Sequence, residues 1–89
     1  MPADHAIWKF PLPIEDAPTI AMPVGAEVLH AGLDPAGNPC VWALVAPANE
    51  PAPVYFRIVG SGNPVDADDL GEHISTFTHG MFVWHVFEG

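Results

Sequence analysis

Large apolar side chains flank a single lysine at Ile7, Trp8, Lys9 and Phe10, which predicts a first strand over residues 7–10. Pro11 and Pro13 follow and allow only a strand end or a sheet edge there. Residues 18–23 form a short extended piece held between prolines, and Val24 and Gly25 make a turn. Residues 26–31 predict a third strand. Residues 34–39 are dense in turn chemistry. Residues 40–45 are almost all apolar and predict a fourth strand, central and covered on both faces. Pro47, Pro51 and Pro53 predict an exposed loop over residues 46–53. A fifth strand is expected over residues 54–59 and ends in the turn residues 60–64. An acidic loop with at most one helical turn spans residues 66–72. Residues 73–77 and 81–87 predict the last two strands, joined by a tight turn at His79 and Gly80. The reading is an all-β chain, a small antiparallel sandwich or partly open barrel of six or seven short strands. Residues 1–89 make a single domain.

Composition sharpens this picture. Apolar residues make up 49% of the 89, a folding composition. Eleven Pro leave little room for a long helix. Eleven Asp and Glu stand against two Lys and Arg, a net charge of -9 with histidine neutral. So few cations argue against a nucleic-acid partner. No apolar run reaches the ~20 residues of a membrane span, so no membrane partner is expected. The lone Cys40 lies inside the apolar fourth strand and reads as a small buried hydrophobe rather than a catalytic thiol. The opening Met1-Pro2-Ala3-Asp4-His5 has neither the basic nor the apolar region of a secretion signal, and a cytoplasmic location is expected.

Chemistry has few places to reside. His73, His79 and His85 match no metal-ligand spacing, and no metal or cofactor is expected. The carboxylates Asp66, Asp68 and Asp69 read as a solvated loop. The two cations, Lys9 and Arg57, both lie mid-strand among aromatic and aliphatic neighbours. Arg57 suits bidentate recognition of a phosphate or carboxylate, with Lys9 as a point charge. Alternation puts Tyr55, Arg57 and Val59 on one face of the fifth strand, with Phe56 and Ile58 toward the core. It also places Lys9 on the face opposite Trp8 and Phe10, so one of these contacts would have to come from a neighbouring protomer. The turn at Gly60, Ser61, Gly62 and Asn63 offers backbone amides to an anion. Five Phe, three Trp and one Tyr are more than a thin core hides in one protomer, which points to a pocket or a homo-oligomer interface. Trp8, Lys9, Phe10, Arg57, Gly60, Ser61, Asn63, Trp84 and His85 are the candidate ligand-binding residues. The expected role is non-enzymatic. A small hydrolase using His85 or His79 as a base is a further reading, without a recognisable nucleophile–base motif.

Several blocks resemble one family. They are IWKFPLPI at residues 7–14, MPVGA at 22–26, WALV at 42–45, FRIVGSGNP at 56–64 and the ending VWHVFE at 83–88. Together they resemble an uncharacterised family of small phage and prophage proteins with an IWKFPLPI opening and an FRIxGxGxP block. Typical members have GTGHP where this chain has Gly60-Ser61-Gly62-Asn63-Pro64. The change to Ser61 keeps a hydroxyl, and the change to Asn63 exchanges a possible cation for an amide. The resemblance implies an anti-defence role in the host cytoplasm. There the protein would bind and sequester a nucleotide-derived immune signal, either an ADP-ribose derivative such as cyclic ADP-ribose or a cyclic dinucleotide. The alternative is a protein-interaction or virion-accessory module with no small-molecule ligand.

Overall fold

The computed structural model describes residues 4–89; Met1, Pro2 and Ala3, which enter the reading of the N-terminus above, lie outside the described residues. Seven strands run in chain order: β1 (Ala6–Pro11), β2 (Thr19–Pro23), β3 (Glu27–Leu33), β4 (Pro39–Val45), β5 (Pro51–Gly60), β6 (Glu72–His79) and β7 (Phe82–Glu88). A single 3₁₀ turn, Ala67–Asp69, interrupts the loop before β6. Every strand pair is antiparallel. The strands form two sheets, β1-β4-β3 and β2-β5-β7-β6, stacked as a small sandwich with no closed barrel.

Alternation decides what each sheet hides. Val41, Ala43 and Val45 of β4 face Ile20 and Met22 of β2, Phe56 and Ile58 of β5 and Val86 of β7 in one core. Burying each large side chain contributes about 1.5–3 kcal/mol. At one edge the sheets are tied by Ser75 of β6, the buried polar residue of the core, whose hydroxyl accepts the Ala31 N–H of β3 at 3.0 Å. The same hydroxyl bonds His30 Nδ1 at 3.0 Å, and His30 stacks on Trp42. The opposite edge, formed by β1 and β2, is less sealed: Ile7 is 61% and Trp8 41% exposed.

Three expectations change. Pro51 and Pro53 lie inside β5 rather than in a loop, paired with Pro23 and Ala21 of β2. The ladder bonds of this pair fall on even-numbered residues, as in Val24 N–H to Glu50 O and Phe56 N–H to Pro18 O. The proline nitrogens therefore point away from β2, beyond the reach of β7, which pairs with β5 only over Phe56–Gly60. The β6–β7 turn is Gly80 and Met81, not His79 and Gly80, because His79 pairs with Phe82. Gly80 at φ 63 opens a two-residue turn of the type that favours glycine first. Finally, β4 is central in its sheet but covered on one face only. Trp42 and Leu44 lie half-buried on its other face, beside Lys9 and Ile7 of β1.

One cross-strand pair opposes the fold. Glu88 faces Glu72 directly across β7 and β6, and like charges in that position repel. Burial, and then the Glu72 charge, push the Glu88 carboxyl above the usual carboxylate range. A raised folded value means that the fold prefers the protonated acid, so stability is lost as pH rises through it. Glu88→Gln should therefore raise the melting temperature at about pH 7, with the gain vanishing near about pH 4. Thermal melts of both proteins across that range check this.

Candidate functional site

The order β5-β7-β6 fixes the site. Both β5 and β6 run antiparallel to β7 and hence parallel to each other. Gly60 at the end of β5 is level with Trp84, whereas Glu72 at the start of β6 is level with Glu88. The chain must travel back along the sheet, and residues 61–71 do so across its outer face. Val65 and Leu70 of this connection, with Val59 and Phe87 of the sheet, wall a cleft of about 300 Å³. Ser61, Gly62, Asn63 and His85 form its polar end. A second recess of about 140 Å³ shares Val59, Gly60, Asn63 and Val65 with it and adds Asp16, Arg57 and Trp84.

Arg57 stands on the outer face opposite Phe87. Its Nη1 lies 3.7 Å from Asp69 Oδ2, a distant ion pair. Its Nε is buried and has no hydrogen-bond partner among the described residues. An unsatisfied buried donor costs about 1–3 kcal/mol. Asp69 is brought there by the 3₁₀ turn, whose start is capped by Asp66 accepting the Asp68 N–H at 3.0 Å.

A chain of side-chain hydrogen bonds runs along the same face. Ser61 Oγ and His85 Nε2 are 2.6 Å apart. His85 Nδ1 and Thr76 Oγ1 are 2.9 Å apart, and Thr76 Oγ1 also bonds His73 Nε2 at 2.9 Å. His73 packs edge-on against Phe87, with ring centroids 5.2 Å apart. Thr76 meets His85 because they are direct partners across β6 and β7. The backbone turn holds the other end: Ser61 N–H donates to Val83 O and Asn63 N–H to Gly60 O. Those two amides are spent within the fold, which leaves the turn with less to offer an anion than its glycines suggest.

Of the nine sequence candidates, the structure brings Arg57, Gly60, Ser61, Asn63, Trp84 and His85 together around the two recesses. Trp8, Lys9 and Phe10 line neither. Lys9 lies on the outer face of the other sheet, where its Nζ donates to Asp34 Oδ2 at 2.9 Å. Asp34 organises the β3–β4 turn by accepting the N–H groups of Ala36 and Asn38. The Asn38 amide and then Lys9 hold its carboxyl below the usual range, and Asp34 in turn raises the Lys9 ammonium. Trp8 and Phe10 form a tilted pair on the opposite side of β1 from Lys9, with centroids 6.3 Å apart. The buried Cys40 thiol reaches Gly32 O at 3.6 Å, and burial pushes it up from its ordinary value. Sequence reasoning missed Thr76, His73, Asp69 and the apolar wall of Val59, Val65, Leu70 and Phe87. The odd-numbered alternation along β5 and β7 was the signal for Val59 and Phe87.

The chain belongs to the family described as a domain of unknown function, DUF7352, whose model matches residues 3–89. No curated protein matches it. No solved structure matches it.

Gly60 is a tight point in the lining of both recesses. A Cβ there would lie 2.9 Å from Asn63 Nδ2 and 3.2 Å from the Trp84 ring. The amide can swing away, but the ring is packed against the core. Gly60→Ala should displace Asn63 from the cleft and lose about 1–3 kcal/mol of stability, as overpacking does. A shifted denaturant midpoint with an unchanged slope reports this.

Proposed function

We propose that this DUF7352 protein is a phage or prophage anti-defence protein that binds and sequesters a nucleotide-derived immune signal in the cleft under residues 61–71 and the adjoining recess that holds Arg57. The ligand is an ADP-ribose derivative such as cyclic ADP-ribose, or a cyclic dinucleotide. The observation that carries this reading is Arg57, whose Nε is a buried donor without an acceptor among the described residues. With Lys9 engaged by Asp34, Arg57 is the cation left for a ligand among the described residues. A phosphate accepted in bidentate fashion would satisfy that donor and displace the long contact to Asp69. Val59, Val65, Leu70 and Phe87 provide an apolar wall for a base, with Phe87 the aromatic surface beside it. Ser61 and the Asn63 amide are positioned for ribose or base edges. The net charge of -9 opposes anion capture at long range, so recognition rests on these short contacts.

The same reading includes a homo-oligomer in the host cytoplasm. Exposed Ile7 and Trp8 on the edge strand β1 are the surface that a second copy would cover. A protein-interaction or virion-accessory role is the second reading. It is favoured by the tip of the β6–β7 hairpin, where Met81 is 95% and Phe82 60% exposed.

Isothermal titration of the protein with cyclic and linear ADP-ribose derivatives and cyclic dinucleotides tests the first reading. Losing a charged hydrogen bond costs about 1.5–3 kcal/mol, so Arg57→Ala should weaken binding about ten- to a hundred-fold with the fold intact. If the wild type binds none of these compounds, sequestration fails and the hairpin tip becomes the leading surface. Light scattering at micromolar concentration checks the assembly. A dimer or larger is expected, tightening from low to moderate salt as the acidic charge is screened, and a monomer mass refutes it.

A further inference from the structure

We propose that Ser61 and His85 form a nucleophile–base pair that reacts with carboxylic esters and organophosphorus acyl mimics. This goes beyond ligand sequestration and holds whatever the cleft binds.

The geometry is that of an activated serine. Ser61 Oγ lies 2.6 Å from His85 Nε2, within the reach that a proton transfer needs. Ser61 is exposed, so water would satisfy its hydroxyl equally well and no burial requirement explains the contact. Its position is held from both sides. The N–H of Ser61 is fixed to Val83 O, and the adjoining turn closes through Asn63 N–H to Gly60 O, with Gly62 at φ 88. The base stands on β7, an interior strand of its sheet, and its second nitrogen is engaged by Thr76 Oγ1 at 2.9 Å.

The hydrogen-bond chain fits two directions, and we take the one that makes His85 a base. In it His85 donates its Nδ1 proton to Thr76 Oγ1, Thr76 donates its hydroxyl proton to His73 Nε2, and His85 Nε2 is left to accept from Ser61. Thr76 is thus a positioning residue. It holds the tautomer and ring orientation as a carboxylate does in serine hydrolases, but without the charge. In the reaction Ser61 Oγ attacks the ester carbonyl carbon while Nε2 takes the hydroxyl proton. The bond from that carbon to the leaving oxygen then breaks, and the proton passes from Nε2 to the leaving oxygen. A water deprotonated by Nε2 attacks the acyl-serine, whose ester bond breaks to release the acid, and its proton returns to Ser61 Oγ. The Gly62 N–H, which has no backbone acceptor among the described residues, and the Asn63 side-chain amide line the same cleft and are the donors it offers to a developing oxyanion. The apolar wall of Val59, Leu70 and Phe87 suits a short acyl chain.

The test is labelling of the full chain with an alkyl fluorophosphonate, in which Ser61 Oγ displaces fluoride and the hydroxyl proton leaves through His85. Alongside it, release of nitrophenol from p-nitrophenyl acetate is followed. Intact mass and peptide mapping should find one adduct, on Ser61, absent in Ser61→Ala. His85→Gln should slow labelling and ester turnover by about a hundred-fold or more. Thr76→Val should slow them less, and Thr76→Ser should restore them. Circular dichroism of each variant confirms that it is folded. No adduct on Ser61 of the wild type overturns the proposal. So does labelling of folded His85→Gln at the wild-type rate. Neither assay contains a nucleotide, so its result is independent of whether the cleft sequesters one.

Discussion

The antiparallel pairing of β7 with both of its neighbours is the constraint from which the rest follows. It forces β5 and β6 to run the same way, so the connection between them has to return along the sheet. Parallel strands of one sheet need a crossover connection, ordinarily a helix packed on the sheet face. Here residues 61–71 contain two glycines, a proline and three acidic residues, and they form no more than one 3₁₀ turn. A thin irregular strap therefore lies where a helix would have sealed the surface. Val65 and Leu70 hold it to the sheet at a few points, and the unsealed remainder is the cleft.

That arrangement also explains why polar chemistry gathers on one face of an acidic, largely apolar chain. The inner face of the four-stranded sheet is committed to the core through Phe56, Ile58 and Val86. The outer face is free to carry Arg57, His85, Thr76 and His73, which meet across strands in fixed register. The other sheet uses its outer face differently. There Lys9 pairs with Asp34, which organises the β3–β4 turn, and His30 stacks on Trp42.

Much of the fold was legible in the sequence. Alternation in β5 put Phe56 and Ile58 inward and Arg57 outward, as found, and the apolar run from Cys40 to Val45 marked a central strand. Proline was over-read as a loop signal at Pro51 and Pro53, because which side of a strand lacks a neighbour is a tertiary fact. The site was half legible. Arg57 and the Gly60–Asn63 turn could be found from residue type and spacing. The partners of Ser61 and Lys9 could not, since His85 lies 24 residues away and Asp34 25 residues away, and neither distance has a local signature. Sheet order decides such meetings, and a single sequence does not display sheet order.

The place of β7 in the chain has a further consequence for biosynthesis. It is the last strand of the fold to be made, yet it lies between β5 and β6. Until Phe82–Glu88 has joined the sheet, β5 and β6 have no strand between them, and the β5 edge offers open hydrogen-bonding groups to other chains. Folding of this sheet cannot be completed domain-piece by domain-piece from the N-terminus. The four-stranded sheet is complete only once Phe82–Glu88 has taken its place in the middle. A nascent chain stalled before that point would be the species most in need of a chaperone.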